Sequence, residues 1–156
     1  MDWLEVMSQK NQIQKVMQTN QYSERFGLVL SEEDANLLVQ ERSSSLRQEQ
    51  RVEFGEGILP KLIFQFCDST YLSQDNYVES IVRQQEIFYL YKNESLDDLS
   101  DDELLDYMKE KFDGVCQGDF EYLEGTVLEE FARNVRAESR TYMGSCREEE
   151  YIWSMN

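Results

Sequence analysis

Histidine does not occur in the 156 residues. Its absence removes Ser-His-Asp and Cys-His nucleophile chemistry, the two-His-one-carboxylate iron site, Glu-x-x-His di-iron bundles and nearly all catalytic zinc. Proline appears once, as Pro60, and glycine seven times, so the composition of a disordered chain is missing despite 30% charged residues. Cys67, Cys116 and Cys146 are odd in number and widely spaced, with no Cys-x-x-Cys, which points to reduced thiols in a cytoplasm over a disulfide framework. The first residues, MDWLEVMSQKNQ, lack a basic start followed by an apolar run, and no stretch approaches a membrane-spanning apolar length. Neither export nor a membrane span is therefore expected. Basic residues are also scarce: 15 against 32 acids, for a net charge of −17. Attraction to DNA, RNA or anionic lipid is unfavourable at that charge, and a partner is expected to be a protein with a basic or neutral surface.

What is present is enough to fold. Hydrophobic residues make up 40% and aromatics 12% of the chain. One domain of this length removes roughly 68–70% of its unfolded surface from water. Apolar residues recur at helical spacing from Asp2 to about Thr19, and from Ser31, an N-cap followed by three acids, to about Gln50. Pro60 suits the first turn of a short apolar helix, ILPKLIFQFC. Ser73 is read as the cap of a central helix from Gln74 to about Lys92, apolar on most sides and hence buried. Ser100 to Glu103, SDDE, is a capping box opening a helix to about Phe112. The last helix runs from Asp119 to about Arg136, interrupted near Gly125. The expected fold is all-α: a single-domain irregular bundle of about six helices over residues 1–136, with GLVL and RVEF able to form one minor two-stranded pairing. Residues 137–156 read as a C-terminal extension, a short helix or a partly disordered tail.

The stretch FDGVCQGDFEYLE has the look of a calcium loop. Counting Asp113 as position 1, Gly118 falls at 6, Glu121 at 9 and Glu124 at 12, but Val115 at position 3 offers no ligand. An ordinary interhelical loop is the reading adopted, with Asp113, Glu121 and Glu124 kept as a metal alternative. No cofactor is expected. The pairs Glu103/Asp106 and Glu121/Glu124 resemble the magnesium-binding acids of all-helical nucleotide pyrophosphohydrolases. Their order is reversed, however, and the preceding Glu-Glu-x-x-Glu is missing. If Leu104, Leu105, Met108 and Phe112 face the core, Asp102, Glu103, Asp106 and Glu110 lie on the opposite, solvated face. Ser43–Ser45 and Cys67 lack a base, and the Gly55/Gly57 pair reads as a turn.

Three polar residues stand where a core is expected. With Phe120 at 0° and about 100° per residue, Glu124 falls at about 40°, inside the apolar stripe of its helix. Arg42 lies between Ala35, Leu38, Val39 and Leu46, and Gln85 belongs to the central helix. A buried acid needs a partner or stays protonated, so Glu124 is expected to pair with Arg42 or a tyrosine hydroxyl, unless Gly125 turns it out to solvent.

RFGLVLSEEDA, RVEFGEGILPKLI, FCDSTYLSQDNYVE, EIFYLYKNESLDDLSDDEL and FDGVCQGDFEYLE together make the chain, over roughly Ile13 to Arg136, resemble an uncharacterised family of short acidic proteins from anaerobic Gram-positive bacteria. The resemblance carries no activity with it. Between Asn93 and Glu130 stand 14 acids and only two bases, Lys109 and Lys111. The expectation is a cytoplasmic protein-interaction factor without enzymatic activity, with Asp97, Asp98, Asp101, Asp102, Glu103, Asp106 and Glu110 as the electrostatic part of an interface. The competing classes are a carboxylate–metal enzyme of the nucleotide pyrophosphate hydrolysis type and a nucleic-acid mimic. Charge that serves only solubility is the plainest alternative.

Overall fold

Acid-rich first turns, N-caps and apolar spacing become helices where the sequence places them. In the computed structural model, which describes residues 3–55 and 57–138, α1 (Trp3–Gln18) leads into a short α2 (Asn20–Ser23) closed by a 3-10 turn, Glu24–Phe26. α3 spans Glu32–Gln48, α4 Leu59–Phe66, α5 Tyr77–Glu94 and α6 Asp101–Asp113. α7, Phe120–Tyr122, passes into a π turn, Leu123–Leu128, before the helix resumes over 129–138. The described residues contain no strand. This is an all-α helical bundle.

Both expected capping boxes form. Ser31 Oγ accepts from Asp34 N while Asp34 accepts from Ser31 N, and Ser100 with Glu103 does the same for α6. Pro60 occupies the first turn of α4. α5 is the central element: α3, α4 and α6 all pack on it, while α1 covers α3. Ile81, Ile87, Phe88 and Tyr89 are all but fully buried along it. The C-terminal helix is fastened to α6 by aromatic stacking, Tyr107 on Phe131 at 3.8 Å and Phe112 on Phe120 at 4.7 Å between ring centres. Of the apolar residues of α1, Trp3 and Leu4 are exposed and Val16 is buried.

Two local expectations are corrected. GLVL is extended but does not pair with RVEF. Its backbone groups are taken by side chains instead: Asn20 Oδ1 and Nδ2 bond Leu30 N and O at 2.8 and 2.9 Å, and Gln74 Oε1 and Nε2 bond Val29 N and O at 2.8 Å each. Ser23 satisfies both backbone groups of Leu28. With donors and acceptors used up on both sides, nothing remains for a second strand. Ser73 does not cap α5. Asn76 Oδ1 accepts from Ser73 N, folding 74–76 into a turn, and the helix begins at Tyr77. Residues 139–156, and with them most of the expected C-terminal extension and Cys146, lie outside the described residues.

Candidate functional site

Arg42 and Glu124 are both inward-leaning, as their helix positions suggest, but they do not meet. Arg42, with a side chain 5% exposed, reaches from α3 to the loop that follows it. Its Nε lies 2.7 Å from Glu53 Oε1, and Nη2 donates to the carbonyls of Glu53 and Gly55 at 3.3 Å. Glu53 Oε1 also accepts from Tyr89 Oη at 2.6 Å, and Oε2 from Ile58 N at 3.3 Å. Burial, then the charge of Glu53, pushes the Tyr89 hydroxyl well above its ordinary pKa, so it remains a donor. Gly57 makes room for this clamp: a Cβ there would stand 1.8 Å from Glu53 Oε1, and its φ of +67° is one that favours glycine. Val52 and Phe54, on either side of Glu53, point away and are 77% and 88% exposed. Glu53 lies outside any periodic segment, so helical spacing could not single it out.

Glu124 pairs with Arg83 of α5. Arg83 Nη2 lies 2.5 Å from Glu124 Oε2, an ion pair between two partly exposed side chains. The tyrosine expected nearby is Tyr91, but it bonds the backbone: its hydroxyl donates to the Glu124 carbonyl at 2.6 Å, within the π turn, and approaches Glu129 Oε2 at 3.1 Å. The interruption read at Gly125 is this π turn, a break in the regular ladder of the kind that recurs at functional sites. Arg83 could have been suspected, because it is the only Lys or Arg between Lys61 and Lys92. Glu124 and Arg83 help to line a cleft of about 210 Å³ between the end of α3, α5 and the π turn. Gln85 is buried as expected, its amide donating to Leu38 O at 3.4 Å, while its neighbour Gln84 is equally buried with neither amide atom bonded to a described residue.

The metal alternative does not assemble. Asp113 is held by Lys109 at 2.7 Å and by the Ser69 hydroxyl at 2.6 Å, Glu121 is exposed, and Glu124 faces Arg83. Burial lowers the Lys109 pKa, yet its contacts with Asp113 and Asp68 outweigh that and leave it raised. Among the described residues no three Asp, Glu or Cys side chains are grouped to hold a metal ion. Burial pushes the thiols of Cys67 and Cys116 up, and both are free.

The acidic face is partly spent inside the molecule. Asp97 chelates Arg51 at 2.8 and 3.1 Å, which holds its carboxyl below the ordinary range. Asp101 pairs with the buried Lys92 at 2.9 Å, and Lys92 also bonds the Leu99 carbonyl. Glu103 caps α6, and the Ser100 N–H lowers its pKa. Glu110 lies 3.9 Å from Lys111, and Asp98 is exposed at the end of the turn after α5. Asp102 and Asp106 differ. Asp102 meets Lys61 at 3.3 Å with both side chains more than half exposed, Asp106 accepts from Gln65 at 3.1 Å, and both line a groove of about 530 Å³ between α4 and α6. Tyr22, Pro60, Phe64 and Leu105 form its apolar floor, with Phe64 61% exposed and Tyr22 set edge-on to it at 4.9 Å. Among the described residues no helix is long and apolar enough to cross a membrane.

No curated protein and no solved structure matches the chain. A model of a family of unknown function, DUF6323, matches residues 15–141, and the chain belongs to that family.

Proposed function

We propose that this is a cytoplasmic protein-interaction factor whose interface is the α4/α6 groove with its acidic rim, and whose partner presents an apolar anchor beside Lys or Arg. The observation behind it is the placement of Phe64, 61% exposed, on the floor of a groove rimmed by Asp102 and Asp106. An exposed aromatic in a groove is the kind of anchor on which binding energy concentrates, and carboxylates around it raise the rate of encounter with a basic partner. The Lys61–Asp102 pair is an exposed one worth about 0–1 kcal/mol, so a partner's cation can replace Lys61 with little loss. Solubility alone accounts for the charge but not for an aromatic left in the groove. The bacterial setting suggested by the sequence resemblance is compatible with this role.

The first prediction concerns these residues. A partner bound at low salt should be released as salt rises, bind weakly to the Asp102→Asn/Asp106→Asn double variant and be lost from Phe64→Ser. Asp101 and Glu103 are left unchanged, because one neutralises Lys92 and the other caps α6. Equal binding by wild type and both variants would remove the groove from consideration.

A further inference from the structure

The α4/α6 groove does not end at Phe64. Beyond that ring lies a second hollow of about 290 Å³, and the two share Tyr22, Phe64 and Gln65 as a common border. Phe26, 48% exposed, continues the aromatic surface there. α4 and α6 run parallel along both: Lys61 meets Asp102, Gln65 meets Asp106, Asp68 meets Lys109 at 2.7 Å and Ser69 meets Asp113. The span from Asp102 to Lys109, both on α6, is about 10 Å, the rise of two helical turns.

The two ends differ in charge. Asp102 and Asp106 stand at one. At the other, Asp68 and Asp113 already hold Lys109, and the exposed Arg25, in no ion pair with a described residue, is the charge left open. In a chain of −17, the side chains bordering the two hollows balance, three acids against three bases. Exposed aromatics with no net charge around them have the composition of an interface, not of a surface shaped for solubility.

We propose that the occupant of this surface is an amphipathic helix of a partner protein, laid antiparallel to α4 and α6. Its first turn brings Asp or Glu onto Arg25, apolar side chains spaced i, i+3 or i+4 and i+7 fall on either side of Phe64, and its last turn brings Lys or Arg onto Asp102 and Asp106. Among the described residues no sheet edge exists to receive an extended strand, so pairing through the backbone is not offered. The direction follows from the helix dipole. Acids at the N-terminus and bases at the C-terminus stabilise a helix by itself, and such a helix matches the charges of the groove only when it opposes α4 and α6. Resting on the α4/α6 groove as the interface, this docking mode adds the partner's acidic end, its shape and its direction.

Selection from a display library of helical peptides on the intact chain tests this. Peptides retained by wild type should carry acid in the first turn, an apolar stripe and base in the last turn. Exchanging the charged ends of a retained peptide should weaken it about tenfold, because each end trades attraction for repulsion. Arg25→Glu, a change at an exposed side chain, should select base in the first turn in place of acid. Asp102→Asn/Asp106→Asn should lose only the preference for base in the last turn. Retained peptides with the stripe and base but no acid, selected equally by Arg25→Glu, would overturn this docking mode and leave the groove as an interface. If Phe64→Ser retains the same peptides as wild type, the groove itself falls and the docked helix with it. A library that yields no retained peptide also overturns the docked helix.

Discussion

Glu53, which helical spacing does not bring out, is the acid on which three contacts converge. It receives Arg42, Tyr89 and the Ile58 N–H at once, fixing the loop between α3 and α4. Removing it leaves a guanidinium whose side chain is 5% exposed without its counter-charge. Glu53→Ala should therefore cost about 3–5 kcal/mol, the cost of breaking a buried pair from one side. Urea denaturation measures this, and a loss below about 1 kcal/mol would mean that water reaches Arg42 freely. The sequence marks Arg42 and Glu124 as polar residues on apolar faces because a wheel gives direction. It cannot say what stands opposite, so the two were expected to meet, whereas each finds its partner on another element: Arg42 a loop acid, Glu124 the α5 arginine.

Among elements, the extended 28–30 segment is the instructive one. Its short apolar run invites a strand, but Asn20 and Gln74 supply hydrogen bonds a neighbouring strand would otherwise provide. The two substitutes should not be equal in effect. Leu30 is 1% exposed and Val29 45%, so water can replace Gln74 but not Asn20. Asn20→Ala should destabilise by about 1–3 kcal/mol, the cost of unsatisfied buried groups, and Gln74→Ala by much less. Thermal melts of the two variants decide it; equal losses would mean that solvent access does not govern the cost. The helices themselves were readable, because capping boxes and acidic first turns are local. The turn at 74–76 is as local, but it uses the same three-residue spacing as a helix cap, Ser73 N–H to the Asn76 side chain, so spacing alone does not tell it from a helix start.

The whole molecule carries −17, and the fold spends part of its acid on its own scarce bases: Arg51, Lys92 and Lys109 each hold at least one carboxylate. Its pH limits follow. Asp97, held low by Arg51, and Glu103, held low by the Ser100 N–H, bind fewer protons folded than unfolded. Their stabilisation is present above the ordinary carboxylate range and is lost as pH falls through their depressed values. At the alkaline end the sign reverses. Burial, opposed by the Ser23 hydroxyl, pushes Tyr77 from 10.0 up to about 12, and burial raises Tyr89 and Tyr91 as well. Between pH 10.0 and about 12 the folded state binds more protons at Tyr77 than the unfolded chain, so stability falls as pH rises. Tyrosinate absorbance followed beside helical ellipticity should show these three ionising only as the helices melt. Ionisation of all 9 tyrosines with ellipticity intact would contradict their burial.

By itself the sequence determined the fold class, the capped starts of α3 and α6, the break at Gly125, the central burial of α5 and the exclusion of histidine chemistry. These rest on composition or on interactions within a few residues, where geometry is fixed by the backbone repeat. Only the tertiary structure decided that Arg42 belongs to Glu53, that Glu124 belongs to Arg83, and that Asp102 and Asp106 share a groove with Phe64. Those pairings join segments from 11 to 42 residues apart. Which side chains meet across such distances is set by how whole helices pack, and helical periodicity does not encode it.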